Sequence, residues 1–394
     1  MNKQIGCSFL VEETEFNNVF IVEEFDKTAL QMIEATREFV KKEIEPNVHE
    51  LENKNYELVK KIMKKAGEMG LLGLNIPEEY GGFGMGFNLS MFICGEMSCD
   101  SGSIATAYGA HTGIGTYPIL YYGNEDIKKE FLPKIASGEW IACYNLTEPE
   151  AGSDANSGKT IAVLSNDKKS YEITGQKIWI SNAGFSEVFI VFARIKNDKN
   201  ITGFVLKKSE SNGITLGEEE KKLGLSSSST RQVFYDNTIV PSQQILGERN
   251  GGFKIAMNSL NVGRIKLCAA TTAAAEKVLN ISISYALQRK QFNTAIIDYG
   301  AIQEKFAHMA TKTYASNAAL YRAGNDIETK ISELIKNGTE KTDAKLKSLL
   351  SYAVECAIMK VYGSEVIMYV SDQAIQIHGG MGYSADTLVE PAYR

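Results

Sequence analysis

The sequence predicts an α+β protein whose structural classes are kept apart: a helical segment, a β domain, then a helical bundle. Strand texture, with β-branched and aromatic residues at short spacing, is confined to roughly residues 145–245. Apolar residues at helical intervals fill the chain on both sides of it. The glycine cluster Gly81-Gly-Phe-Gly-Met-Gly86 has helical patterns before and after it. It therefore reads as a loop, because a dinucleotide fingerprint needs a preceding strand and a βαβ unit.

At 394 residues the chain is long enough for two or three domains that bury about three quarters of its unfolded surface. Residues 1–25 are aromatic and acidic without a period, and are expected to lie as an arm on the rest. From Asp26, Leu30, Ile33, Val40 and Ile44 fall close to one helical face, with Pro46 as a stop. Leu58, Ile62, Ala66 and Met69 make a second amphipathic helix ended by Gly70. Residues 87–137 are helical again, and the small residues from Ser101 to Ala107 suit close packing. Together these form an N-terminal helical domain, 26–143.

Thr160–Leu164, Tyr171–Ile173, Lys177–Ile180, Val188–Phe192, Gly203–Leu206, Ile214–Leu216 and Gln232–Tyr235 read as strands. Turns are expected at Asn166-Asp167, Gly175-Gln176, Asn182-Ala-Gly184 and Asn197-Asp198. Short strands at this spacing predict a compact antiparallel β-barrel or sandwich within residues 144–250. Beyond Gly251, Phe253, Met257, Leu260, Leu267, Ala274 and Val278 begin a helix that runs to about Arg289. Ile302, Phe306, Met309, Thr313 and Leu320 form another. A third, carried by Leu346, Leu350, Ala353 and Ala357, follows the break at Asn337-Gly-Thr-Glu340. Residues 251–394 are thus an up-down bundle, expected to be incomplete.

Composition is that of an ordinary globular chain, 44% apolar and 23% charged, with net charge −6 and no polybasic run. That argues against a nucleic-acid surface. The six cysteines are scattered without a C-x-x-C, as buried thiols of a reducing compartment. His49, His111, His308 and His378 show no ligand spacing, so no metal site is expected. No apolar run reaches spanning length. The N-terminus lacks a charged leader before an apolar segment, and Glu12, Glu13 and Glu15 do not suit a transit peptide. The expected location is cytoplasmic.

The stretch Tyr144-Asn-Leu-Thr-Glu-Pro-Glu-Ala-Gly-Ser-Asp154 opens the β region. Glycine permits close approach, proline fixes the path, and hydroxyls with main-chain N–H groups suit a flat anionic ligand. Taken alone it could equally be an exposed acidic turn. Three further blocks stand beside it: Gln176-Lys-Ile-Trp-Ile-Ser-Asn182, Arg289-Lys-Gln-Phe292 and Gln376-Ile-His-Gly-Gly-Met-Gly382. With these four in this order, the chain from about residue 20 to its last residue resembles the acyl-CoA dehydrogenases. The resemblance implies the fold of that family and FAD lying extended between the β domain and the C-terminal bundle.

By resemblance, Tyr144, Leu146 and Thr147 line the isoalloxazine, with the Thr147 hydroxyl near the flavin N5 edge. Gly152 and Ser153 approach the pyrophosphate and the substrate; Trp179 covers one flavin face and Ser181 meets its polar edge. Read without the other blocks, Trp179 is a core tryptophan of the barrel. The resemblance also implies that Arg289, Phe292, Gln376, Gly379 and Gly380 reach the FAD of a neighbouring subunit, making the unit a homodimer or homotetramer. A cation at Arg289 also suits the end of a helix without any ligand. Asn261 and Arg264, three apart on the long helix, match positions near the CoA thioester and its arm. An aspartate is common in the family where Asn261 stands, and Arg264 could instead serve an interhelical ion pair.

The implied reaction is α,β-dehydrogenation of an acyl-CoA. A carboxylate removes the α proton, the β hydride passes to the flavin, and electrons leave to an electron-transfer flavoprotein. The family's glutamate base usually follows an arginine-aspartate step matching Arg394, so the catalytic residue is expected beyond Arg394. Gly263 occupies the family's alternative base position and cannot act. Gly263 and the N-terminal arm resemble the very-long-chain subgroup, whose members continue into a further helical domain and prefer long acyl chains. Two other readings stay open: a flavin oxidase or monooxygenase on the same fold, and a non-catalytic flavoprotein that assists assembly.

Overall fold

The computed structural model describes residues 6–10, 13–14 and 19–394, so the expected arm lies partly outside the described residues. The N-terminal unit comprises α1 (Lys27–Phe39), α2 (Val48–Leu51), α3 (Tyr56–Glu68), α4 (Phe87–Glu96), α5 (Gly102–Gly109), α6 (Tyr117–Tyr122) and α7 (Glu125–Ala136). Asp26 caps α1 by accepting from the Ala29 N–H at 2.8 Å, and Asn124 caps α7 through Ile127 at 2.9 Å. The buried face of α1 is Ala29, Ile33, Thr36 and Phe39; Leu30 points to solvent. Pro46 does not stop the chain. The helix passes from Phe39 into a π turn (Val40–Ile44) and a 3-10 turn (Glu45–Asn47), where the proline's missing N–H has no partner to lose. The Gly81–Gly86 cluster is a loop folded back on the segment before it, with Gly84 N–H donating to Ile76 and Met85 N–H to Leu74.

The middle unit contains β1 (Ala142–Asn145), β2 (Ile161–Leu164), β3 (Ser170–Ser181), β4 (Val188–Ile195), β5 (Ile201–Lys207), β6 (Ile214–Glu219), β7 (Thr230–Pro241) and β8 (Ile245–Leu246). Their order is β6-β7-β3-β2-β4-β5-β8, with β1 pairing β4. Most ladders are antiparallel, but β1 and β2 both run parallel to β4. The sheet therefore departs from the wholly antiparallel barrel expected, because both strands reach β4 through crossovers rather than hairpins. Gly175-Gln176 is not a turn either. β3 runs straight through it on a bulge, with Gly175 at φ +155° and Thr160 Oγ1 2.5 Å from where a Cβ would stand. The sheet interior is Phe189, Val191, Phe204, Leu206, Val233 and Tyr235.

The C-terminal unit begins with α8 (Gly252–Gln288), 37 residues long, followed by a small hairpin of β9 (Lys290–Gln291) and β10 (Thr294–Ala295). Then come α9 (Gly300–Lys336), α10 (Lys341–Ser351), α11 (Ala353–His378) and α12 (Val389–Tyr393). The expected third helix is two, divided at Tyr352, and Leu350 faces solvent. α8 is the axis on which the units meet. Ile255 and Ala256 pack into the core shared with Tyr144, Leu146 and Phe192, while Val262, Ile265 and Cys268 pack on Leu320, Tyr321 and Met359. Along α8, Met257 and Leu260 pack beside the core and line one cavity, while Leu267, Ala274 and the buried Val278 line a second. A helix apolar on every side gives periodicity no means of choosing its packed face.

Candidate active site

A cavity of about 370 Å³ opens where the start of the β unit meets α8. Tyr144 and Leu146 come from β1 and the residue after it, and Thr147, Gly152, Ser153 and Ala155 from the following loop. Trp179, Ile180 and Ser181 come from the end of β3, and Met257, Leu260 and Arg264 from α8. Ala110 and Ile114, on a π turn (Ala110–Gly115) between α5 and α6, complete the wall.

Two of the sequence blocks are fastened together by a buried ion pair. Lys177 Nζ lies 2.6 Å from Glu148 Oε1, with side chains 1% and 6% exposed. The ammonium also donates to the carbonyls of Leu146 at 3.1 Å and Phe192 at 2.7 Å. Glu148 accepts in addition from the N–H groups of Lys159 and Thr160. Burial works to raise the Glu148 carboxyl, but the Lys177 charge and these hydrogen bonds hold it below its ordinary value. Ile178 N–H donates to the Thr147 carbonyl at 3.0 Å, so the 144–154 loop is tied directly to β3.

Between Lys177 and Ile180 the β3–β7 register slips, and Trp179 takes φ +60°. A left-handed aromatic residue costs about 1 kcal/mol or more. The slip turns the indole outward: Trp179 is 55% exposed and lines the cavity. It is therefore not a barrel-core tryptophan. Tyr144 is buried, edge-on to Phe192 with ring centres 5.1 Å apart, and its hydroxyl donates to the Ala256 carbonyl at 3.3 Å. Burial pushes its phenol well above the ordinary value, so it remains a neutral wall.

The π turn is held from two sides. His111 accepts from Ala142 N–H at its Nδ1 (3.1 Å), so its Nε2 carries the proton donated to the Ile135 carbonyl (3.1 Å). Burial lowers this imidazole to about 4. Lys266 reaches across from α8 to the Thr112 carbonyl at 3.1 Å and hydroxyl at 2.9 Å. It is fully buried and lowered by desolvation to about 8.

Three family models match in sequence: the acyl-CoA dehydrogenase N-terminal domain over 26–139, the middle domain over 143–238 and the C-terminal domain over 250–394. An acyl-CoA dehydrogenase of Bacillus subtilis is 36% identical over 93% of this chain and 91% of its own length. The chain belongs to the acyl-CoA dehydrogenase family. A probable acyl-CoA dehydrogenase of the same organism is 40% identical over 99% of this chain and 65% of its own. The human very long-chain specific enzyme is 36% identical over 83% and 48%. The chain thus spans about two thirds and about half of the length of those two relatives. The crystal structure of an acyl-CoA dehydrogenase from Bacillus anthracis, complexed with FAD, superposes with a TM-score of 0.96 at 40% identity, covering all of this chain and 67% of the other.

Of the residues expected at an acyl-CoA dehydrogenase site, Tyr144, Leu146, Thr147, Gly152, Ser153, Trp179, Ser181 and Arg264 meet at one cavity. Asn261 is buried behind it, accepting from Arg264 Nη1 at 2.5 Å. It orients the arginine, which makes no ion pair among the described residues. Arg289, Phe292, Gln376, Gly379 and Gly380 do not line the cavity; they sit exposed at the far end of the bundle. Arg289 stands 25 positions beyond Arg264, just past the end of α8, a separation of about 37 Å at helical rise. The C-terminal ends of α8 and α11 are joined there by Tyr285, stacked on His378 at 4.1 Å and donating to its carbonyl at 3.2 Å. Phe292 is 91% exposed and Gly379 has φ +59°.

Sequence reasoning passed over Glu148, Lys177, His111 and Lys266. A charged Lys177 in an otherwise apolar strand and Glu148 in the neighbouring block were the available signals. His111 and Lys266 had none, because their partners, backbone groups and the Thr112 hydroxyl, are distant in sequence. Among the described residues no group of three or more His, Cys, Asp or Glu could hold a metal, and no helix is long and apolar enough to cross a membrane.

Proposed function

We propose that this chain carries the flavin and thioester site of an FAD-dependent dehydrogenase that oxidises long-chain acyl-CoA to trans-2-enoyl-CoA in fatty-acid β-oxidation. The observation that carries the reading is the single cavity at which eight residues from two sequence blocks and α8 converge. Its chemistry suits the group. Tyr144, Leu146 and the outward Trp179 offer apolar and aromatic surface for a flat ring system, and Thr147 and Ser181 offer hydroxyls at its edge. Gly152 has no atom within 4 Å of where a Cβ would stand, so a diphosphate can approach its backbone. FAD, when bound, supplies the hydride acceptor. Arg264, fixed by Asn261, is placed to meet an anionic part of the CoA thioester.

The preference for long chains rests on a second cavity, of about 400 Å³. On α8 its lining takes over one turn after Arg264, with Leu267, Ala270, Thr271, Ala274 and Val278. On the opposite wall Ala105 and Thr106 lie one turn before Ala110. The two cavities thus share one stripe of α8, and from Arg264 to Ile281 this stripe is about 25 Å long. As far as Lys277, about 20 Å from Arg264, it matches an extended acyl tail of about 16 carbons at C–C bonds of about 1.5 Å.

We further propose that the unit is a homodimer or homotetramer. Arg289, Phe292, Gln376, Gly379 and Gly380 are too far along the bundle to serve their own chain's cavity and are exposed as a partner's site needs. Leu350, Val354, Ile358, Val361 and Met368 add an uncovered apolar stripe on α10 and α11. The functional divisions follow as an arm at 1–25 and units at 26–143, 144–250 and 251–394. The catalytic base is a glutamate, electrons leave to an electron-transfer flavoprotein, and the setting is the reducing cytoplasm.

The test is anaerobic mixing of full-length, FAD-loaded protein with acyl-CoAs from butyryl to docosanoyl. Flavin bleaching that is stronger with long-chain than with short-chain acyl-CoAs is expected; a flavin left oxidised at every length refutes dehydrogenation and favours a non-catalytic role. Rapid reoxidation by dissolved oxygen with peroxide formed would favour the oxidase.

A further inference from the structure

The second cavity contains a feature that an apolar tail pocket does not need. Lys277, on the same α8 wall, holds Asp100 at 2.9 Å and Glu45 at 2.7 Å. Lys277 and Asp100 both line the cavity, together with Cys99, Ser98 and Ser101. The Asp100 side chain is only 4% exposed and also accepts from Cys99 Sγ at 3.2 Å. The bracket therefore ties three elements: the 3-10 turn after α1, the loop between α4 and α5, and α8. Burial opposes the Lys277 charge, but its two carboxylates hold the ammonium well above the ordinary lysine value. It stays charged across the whole working range.

Resting on the acyl-CoA reading, we propose that the Asp100–Lys277–Glu45 bracket is the stop that sets the longest acyl tail the chamber accepts. Walls on the near side, Leu267, Ala270 and Ala274, are apolar or small and reward each added methylene. At the bracket a methylene meets paired charges whose hydrogen bonds it cannot replace, and displacing them strips a buried carboxylate of its partner. Lys277 lies 13 residues beyond Arg264 on α8, about 20 Å along the axis. That depth corresponds to a tail of about 16 carbons at C–C bonds of about 1.5 Å. The bracket acts on tail length alone, since it touches neither the flavin wall nor Arg264.

The experiment measures Kd for saturated acyl-CoAs from decanoyl to docosanoyl by titration calorimetry on the FAD-loaded full chain. In the wild type, affinity rises by up to about fourfold per methylene, the factor equivalent to about 0.8 kcal/mol, and then levels near the bracket's depth. Lys277→Arg keeps both ion pairs and the same break. Lys277→Met removes the charge and keeps the stem, so the rise continues and docosanoyl-CoA binds at least tenfold tighter while decanoyl-CoA is unchanged. Asp100→Asn, which keeps the side-chain volume, gives the same displacement if the methionine variant does not fold. A break at the same length in all variants, or an equal change at decanoyl and docosanoyl, overturns the stop. Decanoyl binding with a normal break elsewhere leaves the acyl-CoA reading standing, whereas no binding at any length overturns that reading and the stop with it.

Discussion

Replacing Glu148 by glutamine tests whether the cofactor loop is held by the buried pair. The carboxylate is within hydrogen-bond reach of Lys177 at 2.6 Å and of the Thr160 N–H at 3.2 Å, and both side chains of the ion pair are almost wholly buried. The amide keeps an acceptor for one N–H but no charge, leaving the Lys177 ammonium with two carbonyls. Removing one partner of a buried pair costs about 3–5 kcal/mol, most of it the desolvation of the charge left behind. Lys177→Met on the Glu148→Gln background removes that charge as well, so the double variant should recover about 2 kcal/mol relative to the sum of the singles. The assay is urea unfolding at constant m, with FAD affinity followed by quenching of flavin fluorescence. The wild-type pair should bind FAD at least tenfold more tightly than Glu148→Gln, because Thr147 to Ser153 hang from it. A loss below about 1 kcal/mol with unchanged FAD affinity would refute the argument, since surface ion pairs behave that way.

Trp179→Gly should relieve the strain at φ +60°, leaving stability level or up to about 1 kcal/mol higher, yet weaken FAD binding because the exposed indole is gone; thermal melts and flavin titration read the two separately. His111 is lowered to about 4 against an ordinary 6.5, so the unfolded chain binds more protons between those values and stability falls as pH drops through that window. The contribution is about 3 kcal/mol at most, and His111→Gln should flatten the slope of unfolding free energy against pH from 6.5 to 4. Lys266 is lowered from 10.5 to about 8, so the native state releases its proton first and stability rises with pH between about 8 and 10.5. Denaturant midpoints of Lys266→Met should lack that rise, worth about 3 kcal/mol at full extent.

The sequence by itself determined the order of helical, β and helical units, because strand and helix periodicities are local properties of side-chain spacing. It also carried four short blocks whose order resembles that of a known family, although the residues of 144–154 taken alone could equally have been an exposed turn. Tertiary structure alone decided what those blocks do to one another. Glu148 and Lys177 lie 29 residues apart, and only pairing of the loop with β3 makes them one buried ion pair. Trp179 read without the other blocks is a core tryptophan, but the β3 register slip turns it outward, a matter of register that no local pattern records. The stripe from Met257 to Val278 was visible as apolar, but whether it lined a cavity depended on how far β3 and the 144–155 stretch, and then α5 and α11, stand from α8. Likewise Arg289 and Arg264 are both cations on or at the end of one helix. The length of α8 is what assigns the nearer to this chain's cavity and leaves the farther one facing outward, since a helix fixes distance at about 1.5 Å per residue whatever its side chains.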